Sequence, residues 1–347
     1  MRRTINVLLT KYLLNCVDMK VTKGLIKAYS RMGQKGAAAG VGMLEVAKMD
    51  PELRVLVADS IAIASLDRFY NLYPDKVVNV GIAEQCLVSA AAGMASESKG
   101  SVYAFTYSAF LIVRALEQVR LNLAYHECNV KLVGNSAGFS MEMLGVSHWA
   151  IEDIAFIRTL PNITILSAAD CLQAIKMIIA ADQINGPVYI RLSGNQNVPI
   201  VYEEDFDYQI GKAIKVRDGN NVAIIATGLM VYESCCAADI LLQDGINCCV
   251  IDMHTIKPLD IEVIDDVFDQ FELVITIEEH SVIGGLGAAI SEYNASKRIK
   301  AKQVIIGASN QYLKLGTQRY IWEQYGLTAE KIAAVSYTHL TLPTICS

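Results

Sequence analysis

Ile163-Thr-Ile-Leu166, Ala169-Asp-Cys-Leu-Gln-Ala-Ile-Lys-Met-Ile-Ile-Ala-Ala181 and Val188-Tyr-Ile-Arg-Leu192 follow one another with only short breaks. The outer two are apolar runs of strand length, and the middle one is long enough for a helix. Strand, helix, strand in this order predicts a crossover unit, the connection that joins parallel strands. The rhythm extends upstream, with strands expected at Arg54–Ala58, Ser101–Phe105 and Val130–Leu132 and helices at Gly42–Lys48, Ile82–Ser96, Ala109–Leu123 and Ile151–Thr159. Leu25–Ser30 also reads as helical, and Met32–Gly36 as a loop after it. Downstream, Ser193–Gly211 interrupts the pattern with Asn195, Asn197, Pro199 and the acidic cluster Glu203, Glu204, Asp205 and Asp207. Alternation then restarts, with strands at Val222–Ala226, Cys248–Asp252, Leu273–Glu278 and Gln303–Ile306. The helices expected between and after them are Val231–Gln243, Ile261–Gln270, Gly287–Ser296 and Thr328–Val335. The predicted fold is therefore two parallel-sheet α/β domains, at 32–194 and 212–335, joined by an acidic linker at 195–211. Residues 336–347 show no periodicity and are expected to be a non-native or disordered tail. Met1, Met19 and Met32 are all possible starts.

Composition agrees with this outline. Of 347 residues, 53% are apolar and 19% charged, which excludes extended disorder. The net charge of −6 argues against a dedicated nucleic-acid binder. Mean hydropathy is high, at +0.32. Yet stretches such as Asn221–Met230 are too short to span a membrane, so the excess fits strands buried on both faces. The nine cysteines include two adjacent pairs and no CxxC, which reads as buried thiols in a reducing cytoplasm rather than a disulfide framework. No signal peptide is read at the start.

Taken singly, few residues announce chemistry. Glu84 opens an Ala- and Ser-rich helix after Asn79-Val-Gly-Ile-Ala83, where it either faces the helix dipole or serves as a buried functional acid. His148 lies in the loop Gly145-Val-Ser-His-Trp-Ala-Ile-Glu-Asp153, suited to catalysis or equally to packing, and Ser147 suits a helix cap. Arg191 ends a strand, where an open parallel sheet binds ligands, so it fits an anion such as phosphate or a structural ion pair. Ile283-Gly-Gly-Leu-Gly287 lacks the lysine of a phosphate loop, which favours close packing. Glu278-Glu-His280 lacks a second histidine at metal-binding spacing, and no metal is expected on this chain.

In order, however, these segments form a pattern: Asn79–Gln85, the aromatic-then-Glu-Gln run Phe105–Arg120, Gly145–Asp153, Gly186–Arg191, Thr255-Ile-Lys-Pro-Leu259 and Glu278–Gly287. Over about Met32–Val335 the chain resembles the C-terminal half of transketolase, its pyrimidine-binding domain followed by its C-terminal domain. It is most similar to split transketolases, whose halves are separate chains. The resemblance implies a cytoplasmic, thiamine-diphosphate-dependent transferase that moves a two-carbon ketol unit from a ketose phosphate to an aldose. Glu84 then matches the catalytic carboxylate on the aminopyrimidine. Phe110 matches the ring stacked on it, with Tyr107 beside it and Phe105 nearby. His148 matches the catalytic histidine of the substrate channel, and Arg191 the arginine on the sugar phosphate. It also implies an N-terminal partner subunit, carrying the ligands for Mg2+ and the diphosphate, in a heterotetramer. Neither a membrane nor a nucleic acid is expected as partner. Related possibilities are a 1-deoxyxylulose-5-phosphate synthase-like protein, a 2-oxoacid dehydrogenase β-like subunit, or a non-catalytic assembly partner of the same fold. The chain departs from the family pattern at three points. Leu144 replaces an acidic residue four positions before the channel histidine, Trp149 replaces the Gln or His after it, and no Gly-Asp-Gly segment followed by Asn is present.

Overall fold

A computed structural model describes residues 21–312 and 314–341. Its strands, in chain order, are β1 (Arg54–Val57), β2 (Val77–Asn79), β3 (Val102–Tyr107), β4 (Val130–Ala137), β5 (Thr164–Ser167) and β6 (Val188–Ser193). They continue with β7 (Ile214–Arg217), β8 (Val222–Ala226), β9 (Cys248–Asp252), β10 (Thr255–Lys257), β11 (Leu273–Ser281) and β12 (Lys302–Ala308). They form a seven-stranded sheet, β10-β5-β6-β4-β3-β1-β2, and a five-stranded sheet, β12-β11-β8-β9-β7. Central strands such as β4, β6, β8 and β9 are buried along their whole length, the signature of a sheet covered by helices on both faces.

The expected parallel-sheet α/β fold is present, with one antiparallel edge strand in each sheet. β10 runs antiparallel to β5 and β7 antiparallel to β9. Because β10 follows β9 in sequence, the second half of the chain supplies the last strand of the first sheet. The halves also share one apolar cluster, in which Ile26, Tyr29, Phe139 and Trp149 pack with Val222, Ile224, Ile277 and Ile332.

Between β6 and β7 the chain forms no regular element. This stretch is nonetheless packed, since the Tyr202 hydroxyl donates to Asp252 Oδ2 at 2.6 Å and the Tyr202 and Phe206 rings stack at 3.8 Å. The early segment is a helix, Lys23–Ala37, capped by Thr22, and the expected loop at Met32–Gly36 is instead a kink within it. Gly33 adopts φ +75° there, and a Cβ would fall 2.0 Å from the Asn195 carbonyl oxygen, so only glycine fits. The expected break at 336 is corrected as well. The last helix runs Ala329–Thr341, with Ser336 fully buried and Leu340 packed against the shared cluster. Residues 342–347 lie outside the described residues, as do Met1 and Met19.

Candidate active site

Glu84, Tyr107, Phe110 and His148 sit on segments that leave the C-terminal ends of β2, β3 and β4, the edge where open parallel sheets bind ligands. Glu84 is the first residue of the helix Glu84–Glu97, so its carboxylate faces the positive end of the helix dipole. It is 5% exposed, and Oε2 accepts a hydrogen bond from Arg114 Nη1 at 2.8 Å. The same guanidinium lies over the Phe110 ring, 4.1 Å from its centroid. Tyr107 and His148 meet Phe110 edge-on at 5.6 and 5.1 Å, and each other at 5.8 Å. Burial pushes the Tyr107 hydroxyl above its usual pKa, so it stays protonated at neutral pH.

The backbone explains why these groups converge. Asn79 Oδ1 accepts from the N–H groups of Asp59 and Gly81, at 2.9 and 3.0 Å, which fixes the turn leading into Glu84. Phe110 and Arg114 are four residues apart on an irregular helical stretch of π-type turns, Ala109–Arg114, so both side chains reach the same face. His148 follows the tight turn Glu142–Ser147, kinked at Gly145. Ser147 does not cap a helix: its Oγ donates to the Leu144 carbonyl at 3.1 Å and lies 2.9 Å from His148 Nδ1. Trp149 is a packing residue, edge-on to Phe139, with its Nε1 donating to the Glu142 carbonyl at 3.1 Å. Leu144, by contrast, is half-exposed on the turn beside His148.

Arg191 is not part of this cluster, and the phosphate expected there meets no free guanidinium. The residue is 1% exposed, and its side chain makes four hydrogen bonds inside the protein. Nε donates to Asp153 Oδ2 at 2.9 Å, and Nη2 to the carbonyls of Ala150 and Glu279 at 3.0 and 2.9 Å. Nη1 reaches Ser193 Oγ at 3.4 Å. Burial works against its charge, but Asp153, Tyr189 and Glu279 outweigh it and raise the arginine's pKa. Of the two readings open from sequence, the geometry is that of the ion pair.

The glycine loop after β11 also resolves. Glu278 Oε2 and Oε1 accept from the N–H groups of Leu286 and Gly287, at 2.6 and 2.9 Å, filling that helix start with the chain's own anion. Phe105 is fully buried and stacks on Tyr103, one layer below the site. Arg114 was missed from sequence. The available signal was a lone cation at i+4 from Phe110 in an otherwise apolar run.

A hollow of about 710 Å³ is lined by Ser96, Lys99, His126 and Cys128 at the far end of the Glu84 helix. It touches none of the site's side chains. The site itself is an open face, bordered by Ile82 at 80% exposure and by Val113, Met143 and Leu144.

Residues 35–199 match the model of the transketolase pyrimidine-binding domain, and residues 211–332 that of the transketolase C-terminal domain. The chain belongs to the transketolase family. A putative transketolase C-terminal section from Methanocaldococcus jannaschii is 36% identical over 303 residues, covering 86% of this chain and 94% of that one. One of the subunits of an apulose-4-phosphate transketolase from Phocaeicola vulgatus is also 36% identical, over 84% of this chain and 92% of its own. Among solved structures, a split-gene transketolase described as an inactive β4 tetramer superposes with TM-score 0.81 at 36% identity. That match covers 89% of this chain and 98% of the other. The chain thus corresponds to the C-terminal half of split transketolases. No described helix is long and apolar enough to cross a membrane.

Proposed function

We propose that this chain is the pyrimidine-binding subunit of a thiamine-diphosphate-dependent, transketolase-type transferase, which works in the cytoplasm with a separate N-terminal subunit. The observation that carries the reading is the Glu84–Arg114–Phe110 arrangement. A planar cation already rests on Phe110 while donating to Glu84, the same pair of contacts an aminopyrimidine ring needs. The residues present therefore fit the cofactor's ring. Bound thiamine diphosphate supplies an acidic carbon and an electron sink for breaking and forming carbon–carbon bonds beside a carbonyl.

The chain's own residues have distinct parts. Glu84 holds the proton at the ring nitrogen, in a buried setting that strengthens the hydrogen bond. Phe110 offers the stacking face, and Tyr107 fixes Phe110 and His148 by touching both edge-on. With Ser147 at its Nδ1, His148 turns Nε2 toward a substrate oxygen, where it exchanges a proton. Mg2+ and the diphosphate are assigned to the N-terminal subunit, since this sequence lacks the family segment that binds them. The exposed apolar rim around the site suits cover by that partner and by a second copy of this chain, giving a heterotetramer. A ketose phosphate as donor and an aldose as acceptor complete the proposal.

The test is reconstitution with a candidate N-terminal half, followed by assay of two-carbon transfer between sugars. Transfer that needs both chains and is lost in Glu84→Gln supports the reading. Cofactor-independent behaviour, or activity indifferent to Glu84, overturns it.

A further inference from the structure

The segment 139–149 carries His148 out from the end of β4, and its tip, with Met143, Leu144 and Val146, is exposed. Both ends of the segment are gripped at the boundary between the two sheets. At the outgoing end, the Phe139 N–H donates to Glu279 Oε1 at 3.2 Å. At the returning end, Ala150 exchanges two backbone hydrogen bonds with Gly138, at 2.9 and 3.1 Å, and its carbonyl also accepts from Arg191 Nη2. One residue on, the Ile151 carbonyl accepts from the Ser281 N–H at 2.7 Å. Glu279 is itself fixed from the second domain, since Oε1 also accepts from Gln318 Nε2 and Trp322 Nε1 at 2.8 and 2.6 Å. A Cβ on Gly138 would stand 2.2 Å from Glu279 Oε2, so the close approach requires glycine. Arg191 closes the circuit by donating to the Glu279 carbonyl and to Asp153.

Arg191, Asp153 and Glu279 are each at most 2% exposed. Burying such charges costs desolvation that well-packed apolar residues would avoid, so stability alone is a poor reason for the cluster. What the charges supply is direction: Arg191 donates to the Ala150 carbonyl at the base of the His148 segment, and Glu279 accepts from Phe139 at its other end.

We propose that Arg191 and Glu279 are positioning residues, through which the second domain sets the orientation of the His148 loop. The inference rests on the reading of His148 as a substrate-facing group, but the loop's restraint is measurable without substrate. The experiment is hydrogen–deuterium exchange on the full chain, comparing Glu279→Ala, Glu279→Gln and Arg191→Lys with the parent. Glutamine keeps the acceptor oxygen that takes three donors, whereas alanine removes it. Alanine should speed exchange in 139–149 by about tenfold or more while leaving β1 and β3 unchanged, and glutamine should restore most of the protection. Arg191→Lys, which cannot reach all the same acceptors, should loosen the same segment. It serves as the second probe if the alanine variant fails to fold. Unchanged exchange in the loop, or faster exchange spread evenly over both sheets, overturns the positioning role. If the loop loosens while the reconstituted enzyme keeps its turnover, the positioning stands and the assignment of His148 falls instead.

Discussion

Replacing Arg114 by alanine should make this chain bind thiamine diphosphate more tightly. The guanidinium covers the face of Phe110 on which a pyrimidine would stack, while Tyr107 and His148 meet the ring edge-on. It also engages one oxygen of the carboxylate that the pyrimidine needs. Both contacts must be surrendered before the cofactor's ring takes them. A cation over an exposed aromatic ring contributes about 0.5–1 kcal/mol. The ion pair adds about 0.2–1 kcal/mol, because solvent screens the half-exposed arginine although Glu84 is buried. Displacement therefore costs about 0.7–2 kcal/mol, roughly a three- to thirtyfold penalty on affinity. Arg114→Ala removes that penalty and leaves Glu84 in need of a donor, which favours the incoming ring. Calorimetric titration of thiamine diphosphate with Mg2+ into the parent, Arg114→Ala and Arg114→Ala/Glu84→Gln reads the effect. The single variant should gain about tenfold in affinity, and the double variant should lose that gain. Binding equal to or weaker than the parent's would refute the reasoning and make Arg114 a partner of the bound ring.

Three further outcomes follow from the same geometry. Glu84→Gln keeps the side chain's shape but not its charge, so turnover in the reconstituted enzyme should fall by about 100-fold or more, with a melting temperature close to the parent's. Deleting residues 336–347 removes the buried Ser336 and the packed Leu340. It should lower the melting temperature by about 2–5 °C, and an unchanged value would return this segment to a dispensable tail. Asp252 is pushed up to about 7 by burial from an ordinary 3.8, so over that interval the folded chain keeps a proton the unfolded chain has lost, and stability declines as pH rises through it. Asp252→Asn, which retains an acceptor for Tyr202 and Gln173, should melt above the parent at pH 8, with the gap closing toward pH 4. A gap independent of pH would mean that Asp252 does not titrate there.

Much of the fold was legible because its central strands are covered on both faces and read as unbroken apolar runs. Val222–Ala226, Cys248–Asp252 and the helix Ile261–Gln270 have the same bounds in sequence and structure. The strands that escaped are short edges, Val77–Asn79, Ile214–Arg217 and Thr255–Lys257, whose pairing comes from tertiary contact rather than local pattern, and the helices Asp67–Leu72 and Gln318–Tyr325 escaped as well. At the site, the ordered motifs singled out Glu84, Tyr107, Phe110 and His148, which the fold brings together. Arg114 and Arg191 show what motifs leave out. An arginine's role depends on which acceptors surround its guanidinium, and those acceptors come from distant segments, Glu84 for one and Asp153, Ala150 and Glu279 for the other.

The antiparallel edge strand β10 and the buried arginine have one cause. β10 closes the edge of the first sheet, so the second half of the chain is built into the first half rather than docked on it. Ser167, Arg191, His254 and Glu279 are all buried along the boundary it creates, where a polar group gains from a partner on the other side. The backbone shows this where the Ser167 N–H donates to the His254 carbonyl and the Ser281 N–H to that of Ile151, at 2.9 and 2.7 Å. Arg191, at the end of β6, meets the same requirement with its side chain. In a lone sheet, a strand-end arginine faces the ligand crevice. Here β11 approaches that strand end, and its Glu279 carbonyl and the Asp153 carboxylate take the guanidinium. The open crevice is left to the segments after β2, β3 and β4, where Glu84, Phe110 and His148 stand.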